Sequence, residues 1–218
     1  MAPETVLPCY VACDGSLSMA EHDKAVAGIV ASFVGRLHRA AATGSAVVRL
    51  GLIGFSDSAQ VLLPLGPLGV FKLPSAARRG TSITSFRTAF SFLLDTIDSD
   101  LGLLLAGSAA VRRPVVLFVS DGQPTDPATW PPAHAALTDP ARPTHPHLFT
   151  AGVGDADAAT LDRIATPSPP PDRRDAAVLD GFTCSTYCSL LIPPEPAART
   201  SSSPSNSDPS GVQPSAQR

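Results

Sequence analysis

An α/β fold, an open and mostly parallel sheet covered by helices on both faces, is predicted by the alternation of two patterns along the chain. Short apolar runs recur at 6–13, 46–55, 115–120 and 147–153, and amphipathic stretches of helical period lie between them. Runs that are apolar throughout suit strands buried on both faces, as central parallel strands are.

The first run, Val6 to Cys13, is followed by Ser18 to Ala42, where Ala25, Ile29, Val30, Phe33, Val34 and Leu37 repeat with helical period. Ser18 with Glu21 three residues later forms a capping box at the predicted helix start, and Gly44 lies just past its end. Ala46 to Phe55 and Gln60 to Leu65 flank the polar turn Ser56-Asp57-Ser58, which predicts an antiparallel hairpin. After a Gly- and Pro-containing loop, 66–80, a second helix is predicted near Ile83 to Ile97, with Phe86, Phe90, Leu93, Leu94 and Ile97 on one face.

Pro114 opens the strand Val115 to Ser120, which ends at Asp121-Gly122. Helical character around Ala128 to Leu137 is weakened by Pro131 and Pro132, His147 to Val153 is a further strand, and Asp157 to Ala165 a short helix. Gly152-Val153-Gly154 reads as a strand-to-helix turn, since G-x-G without the rest of a phosphate-binding fingerprint is too little. Thr166 to Asp175 is a loop, Ala177 to Leu179 an edge strand, and Gly181 to Ile192 a final short helix. One domain over 1–192 is expected, followed by a Pro- and Ser-rich tail, 193–218, too poor in apolar residues to order itself.

The charge balance narrows the function. A net charge of −3 with scattered arginines leaves no basic field for nucleic acid. No apolar run approaches the roughly 20 residues that span a bilayer, so no membrane segment is expected. The N-terminus lacks a secretory pattern, which predicts a cytoplasmic protein with reduced thiols. Cys9, Cys13, Cys184 and Cys188 are expected to be small buried apolar groups; both C-x3-C spacings are wider than the pairs that usually hold zinc. His145 and His147, separated by Pro146, are expected to be loop and strand-edge residues rather than ligands.

The chemistry gathers where strands end. Asp14, Ser16 and Ser18 leave the first strand together, and Asp121 leaves another apolar strand. Open α/β sheets bind ligands beyond the carboxyl ends of their strands. Two carboxylates brought into one crevice repel, so either one takes up a proton or a cation neutralises both; neighbouring hydroxyls favour a hard cation such as Mg2+. Ser18 alone would serve as a helix cap and Asp121-Gly122 alone as a turn, but their joint placement at strand ends is far more specific.

The pattern D-x-S-x-S after the first strand, a Thr in a Gly-containing loop and D-G after a later strand resembles the von Willebrand factor A domain and its metal-ion-dependent adhesion site, over roughly Leu7 to Leu191. The resemblance implies a doubly wound, mostly parallel sheet with one antiparallel edge strand. It also implies a metal set of Asp14, Ser16, Ser18, Thr81 and Asp121 binding Mg2+, with Mn2+ or Ca2+ as alternatives, and a partner protein whose Asp or Glu completes the coordination. Gly15 and Leu17 stand where that motif more usually has Thr and Gly.

The segments Leu7 to Tyr10, Gly54 to Ala59, Ser120 to Asp126 and Ala151 to Gly154 are further similar to the bacterial tellurium-resistance (TerY-type) branch. That likeness implies a cytoplasmic role in stress response beside kinase-like and phosphatase-like partners. A non-enzymatic interaction module is therefore expected. A Mg2+-dependent phosphotransfer enzyme with Asp14 as nucleophile is the main rival, although Ser16 stands where such phosphatases place a second acid. A subunit of an AAA-type ATPase complex is another.

Overall fold

The computed structural model describes residues 4–43, 46–69, 81–166 and 185–187. The chain runs β1 (Thr5–Asp14), a 3-10 segment (Leu17–His22), α1 (Asp23–Thr43), β2 (Val47–Phe55), β3 (Ala59–Pro67) and α2 (Phe86–Ala106). It continues through β4 (Ala110–Val111), β5 (Val115–Ser120), α3 (Trp130–Thr138), β6 (His147–Gly152), α4 (Ala158–Ile164) and β7 (Ser185–Tyr187). The sheet order is β3-β2-β1-β5-β6-β7, with β4 paired to β1. Among the described strands only the β2–β3 hairpin is antiparallel.

The central strands β1, β5 and β6 are buried along nearly their whole length and mostly apolar, because alternate residues face opposite covered layers. From β1, Leu7, Cys9, Val11 and Cys13 join the cluster under α1 with Ile29, Phe33 and Leu37. Tyr10 and Ala12 face the opposite cluster, under α2, with Phe86, Phe90 and Phe118. Rings meet there edge-on and stacked: Phe118 lies 4.9 Å from Phe55, 5.1 Å from Phe86 and 5.2 Å from Phe90. Cys9 and Cys13 are free and buried, as expected, and burial raises both thiols far above their ordinary range.

Four local expectations are corrected. The first helix does not begin at Ser18 with a capping box: Leu17–His22 winds as a 3-10 segment, and α1 proper starts at Asp23. The Ser18 hydroxyl lies 3.0 Å from that of Ser16 instead. The second helix begins later, at Phe86, capped by the Ser85 side chain accepting from the Thr88 N–H, and runs on to Ala106. Pro131 and Pro132 do not weaken the next helix but open it, because the first-turn N–H groups have no intrahelical partner to lose. Ser185 to Tyr187, expected in a final helix, pair in parallel with β6 as β7; a β-branched Thr186 and aromatic Tyr187 suit the pleated surface and the exposed edge of β6 supplies the backbone partners. The loop 70–80 with Arg79 and Gly80, Gly44, the strand at Ala177 to Leu179, Cys184, Cys188 and the tail lie outside the described residues.

At the amino end of β6, His147 is buried, with no hydrogen-bond partner for Nδ1 among the described residues. Burial first, then the nearby Arg113 and His145 charges, push its imidazole down to about 4 from an ordinary 6.5. Between those values the unfolded chain takes up a proton that the folded chain refuses, so the His147 contribution to stability is present above pH 6.5 and falls as the pH drops toward 4. Chemical denaturation of wild type and His147→Phe across that range should show the wild type losing stability more steeply on acidification. Phe86 is fully buried at the centre of the aromatic cluster. Phe86→Ala should cost about 3–5 kcal/mol, read as a lowered urea midpoint with an unchanged slope.

Candidate metal centre

The parallel registers level the strand ends. Asp14 pairs with Phe55, Cys13 with Val119, and Ser120 with Gly152, so the loops after β1, β2, β5 and β6 leave the sheet on one rim. Asp14 and Asp121 are both buried there, 4% and 5% exposed, which is unusual for carboxylates and requires partners.

Asp14 has two. Its Oδ1 accepts the Ser16 N–H at 2.9 Å, and its Oδ2 accepts the Ser120 hydroxyl at 2.7 Å. Burial pushes the Asp14 carboxyl up to about 6; the bonds from Ser16 and Ser120 oppose the rise and the negative charge of Asp121 adds to it. The charge of Asp121 is thus near enough to act on Asp14. Ser16 is buried, and its hydroxyl lies 3.0 Å from that of Ser18.

Thr81 arrives differently. Its carbonyl accepts the Leu17 N–H at 3.1 Å, which straps its loop to the first motif, while its hydroxyl stays within its own turn, 3.3 Å from the Ile83 N–H. The structure therefore brings Asp14, Ser16, Ser18 and Asp121 together and seats the Thr81 backbone against them.

Asp121 is held by its loop. Its Oδ1 accepts the Gln123 N–H at 2.9 Å, and its carbonyl accepts the Asp157 N–H at 2.8 Å. Gly122 takes φ +73°, where a Cβ would sit 2.8 Å from the Asp157 carbonyl oxygen, so glycine is needed for this loop to lie so close to the start of α4.

Four further residues organise the site, none of which composition or periodicity marks. Ser120 positions Asp14 and also accepts the Gly122 N–H at 3.1 Å. Thr125 and Thr84 bridge their loops by the Thr125 N–H to the Thr84 carbonyl, 2.9 Å. Asp126 caps α2 from a distant part of the chain, accepting the Phe86 and Arg87 N–H groups at 3.1 and 2.9 Å and the Ser85 hydroxyl at 3.0 Å. The sequence signals for Asp126 are its place five residues after Asp121 in the same polar loop and the resemblance carried by the Ser120 to Asp126 segment; neither marks it as a helix cap.

The sequence profile of the von Willebrand factor type A domain matches residues 10–177. The chain belongs to that family. Comparison with curated proteins gives no match. Among solved structures the domain is similar to proximal thread matrix protein 1 from the mussel byssus, in the form with a zinc-occupied metal-ion-dependent adhesion site. The two share 17% identity and a TM-score of 0.55, over 87% of this chain and 46% of that one. It is also similar to the pilus adhesin SpaC from Lactobacillus rhamnosus GG, with 14% identity, TM-score 0.52, and 88% and 29% covered. The chain thus spans about half the length of the mussel protein. These likenesses support the von Willebrand factor A fold. The crevice residues themselves fit a hard divalent cation: their donors are carboxylate and hydroxyl oxygens, and an acid whose proton affinity is raised by burial and a second acid is relieved by positive charge.

Asp126→Ala should leave two first-turn N–H groups of α2 without their acceptor and destabilise the domain by about 1–3 kcal/mol. The expected readouts are a lower melting temperature and faster amide exchange at Phe86 and Arg87.

Proposed function

We propose that this von Willebrand factor A domain is a divalent-cation-dependent protein-interaction module. In this reading Asp14, Ser16, Ser18, Thr81 and Asp121 hold the cation, Mg2+ by preference with Mn2+ or Ca2+ as substitutes, directly or through water. An Asp or Glu of the partner protein completes the coordination. The observation that carries it is the meeting of two buried carboxylates and two seryl hydroxyls at the ends of β1 and β5, with the Asp14 proton affinity raised. That arrangement offers oxygens to a metal, and joining two proteins through the metal needs no acid, base or nucleophile. Both Asp14 oxygens already accept hydrogen bonds, a setting that suits a fixed ligand better than an attacking group.

At a finer level we place the module in a cytoplasmic stress response of the tellurium-resistance type, beside kinase-like or phosphatase-like partners. The support is the likeness of the Ser120 to Asp126 and Ala151 to Gly154 segments to that branch.

Cation binding to the folded state alone should raise its stability, by about 2.7 kcal/mol at a free cation concentration a hundred times the dissociation constant. A thermal-shift titration with Mg2+, Mn2+, Ca2+ and Zn2+ should therefore raise the melting temperature of wild type and leave that of Asp14→Asn unmoved. Affinity purification from native cells should lose the same proteins with chelator and with Asp14→Asn. Capture indifferent to both would overturn the reading.

A further inference from the structure

A second concave site lies away from the metal rim, on the α2 face of the sheet. Between α2 and the β2–β3 hairpin opens a cleft of about 310 Å³, lined by Tyr10, Gly51 and Ile53 of the sheet and by Thr96 and Asp100 of α2. Val61, Leu63 and Leu65 of the edge strand β3 line its other side. Tyr10 stands in the middle of β1, four residues before Asp14, so the cleft sits below the strand ends that carry the carboxylates.

Two features of the sheet make the space. Gly51 is the register partner of Tyr10 and omits a side chain there; a Cβ would come within 3.1 Å of the Tyr10 ring. Beside it the hairpin register shifts: Leu50 pairs with Gly66 and Leu52 with Leu63, so β3 carries an extra residue opposite Gly51. A cleft of this volume falls in the range of small-molecule sites, which are mostly apolar with a few placed polar groups. The walls fit that description. Val61 and Leu63, 43% and 40% exposed, are apolar side chains that the core leaves uncovered, and both line this cleft.

Its polar content is one pair. The Tyr10 hydroxyl donates to Asp100 Oδ2 at 3.0 Å. Burial first, then the Asp100 charge, push the Tyr10 phenol far above its ordinary range, so the phenol keeps its proton and the carboxylate accepts. Burial raises the Asp100 carboxyl, and the bond from Tyr10 opposes the rise. Among the described residues no Lys, Arg or His pairs with Asp100. A half-buried carboxylate thus borders an apolar cleft with a neutral partner alone, and a positive charge placed beside it is favoured.

We propose that this cleft binds a small amphipathic cation, an aryl- or alkylammonium whose charged end pairs with Asp100 and whose apolar body packs against Val61, Leu63 and Leu65. The site is separate from the metal centre, and the proposal does not depend on the cation-bridged reading.

Phenethylamine, protonated at neutral pH, and its uncharged analogue phenethyl alcohol test it, titrated into isotope-labelled protein with the Gly51 and Thr96 amide shifts as readout. Wild type should bind the amine saturably and about tenfold more tightly than the alcohol, the effect of one partly desolvated charge pair. Asp100→Asn, which keeps the side-chain shape and an acceptor for Tyr10, should bring the two within about twofold. Val61→Trp, which fills the cleft from an exposed strand position, should weaken both, as should Thr96→Phe from the helix side; unshifted amides elsewhere show that each variant is folded. Asp14→Asn should bind the amine as wild type does. Equal affinities in wild type, a preference that survives Asp100→Asn, or an amine that leaves the cleft amides unmoved at tens of millimolar would each overturn the proposal. Loss of amine binding in Asp14→Asn would overturn the separateness of the two sites.

Discussion

The burial of the Asp14 carboxylate at the end of β1 is the constraint around which the rim of this domain is organised. An ionisable group 4% exposed is tolerated only with hydrogen bonds of good geometry. The parallel pairing of β1 with β5 supplies one of them, since Cys13 opposite Val119 sets Ser120 within 2.7 Å of the carboxylate. The turn after β1 supplies the other through the Ser16 N–H. A slip of one residue in that register would turn the apolar faces of β5 over and remove the Ser120 bond together, so core and site specify the same alignment.

The two cores share the work of holding the rim rigid. On one side α1 covers the odd-numbered residues of β1 from Leu7 to Cys13; on the other the Phe55, Phe86, Phe90, Phe118 and Trp130 rings fix the start of α2 against the sheet. Asp126 and Thr125 then tie that helix start to the loop that carries Asp121. Because the same loop provides the second carboxylate and the α2 cap, movement of one has to be felt by the other.

The local corrections share a cause. Ser18, Pro131 and the Ser185 to Tyr187 segment each have a local preference that a tertiary contact decides. The Ser18 hydroxyl turns to Ser16 instead of capping a helix, and the winding tightens into a 3-10 segment beside the crevice. Pro131 and Pro132 fall in the first turn, where a missing N–H costs nothing. Ser185 to Tyr187 find the open edge of β6, and strand pairing outweighs a weak helical pattern.

The sequence by itself determined the α/β class, the central strands and the hairpin, because buried strands leave unbroken apolar runs and α1 and α2 leave a helical period that no local contact can disguise. It also marked Asp14, Ser16, Ser18 and Asp121, whose polar types at the ends of apolar runs have no role in a core. Only the tertiary structure decided which strands are neighbours, and with that the closeness of Asp14 and Asp121, the Ser120 bond, the α2 cap from Asp126 and the backbone role of Thr81. Those depend on pairings between residues about 40 to 106 positions apart, which leave no mark in local periodicity.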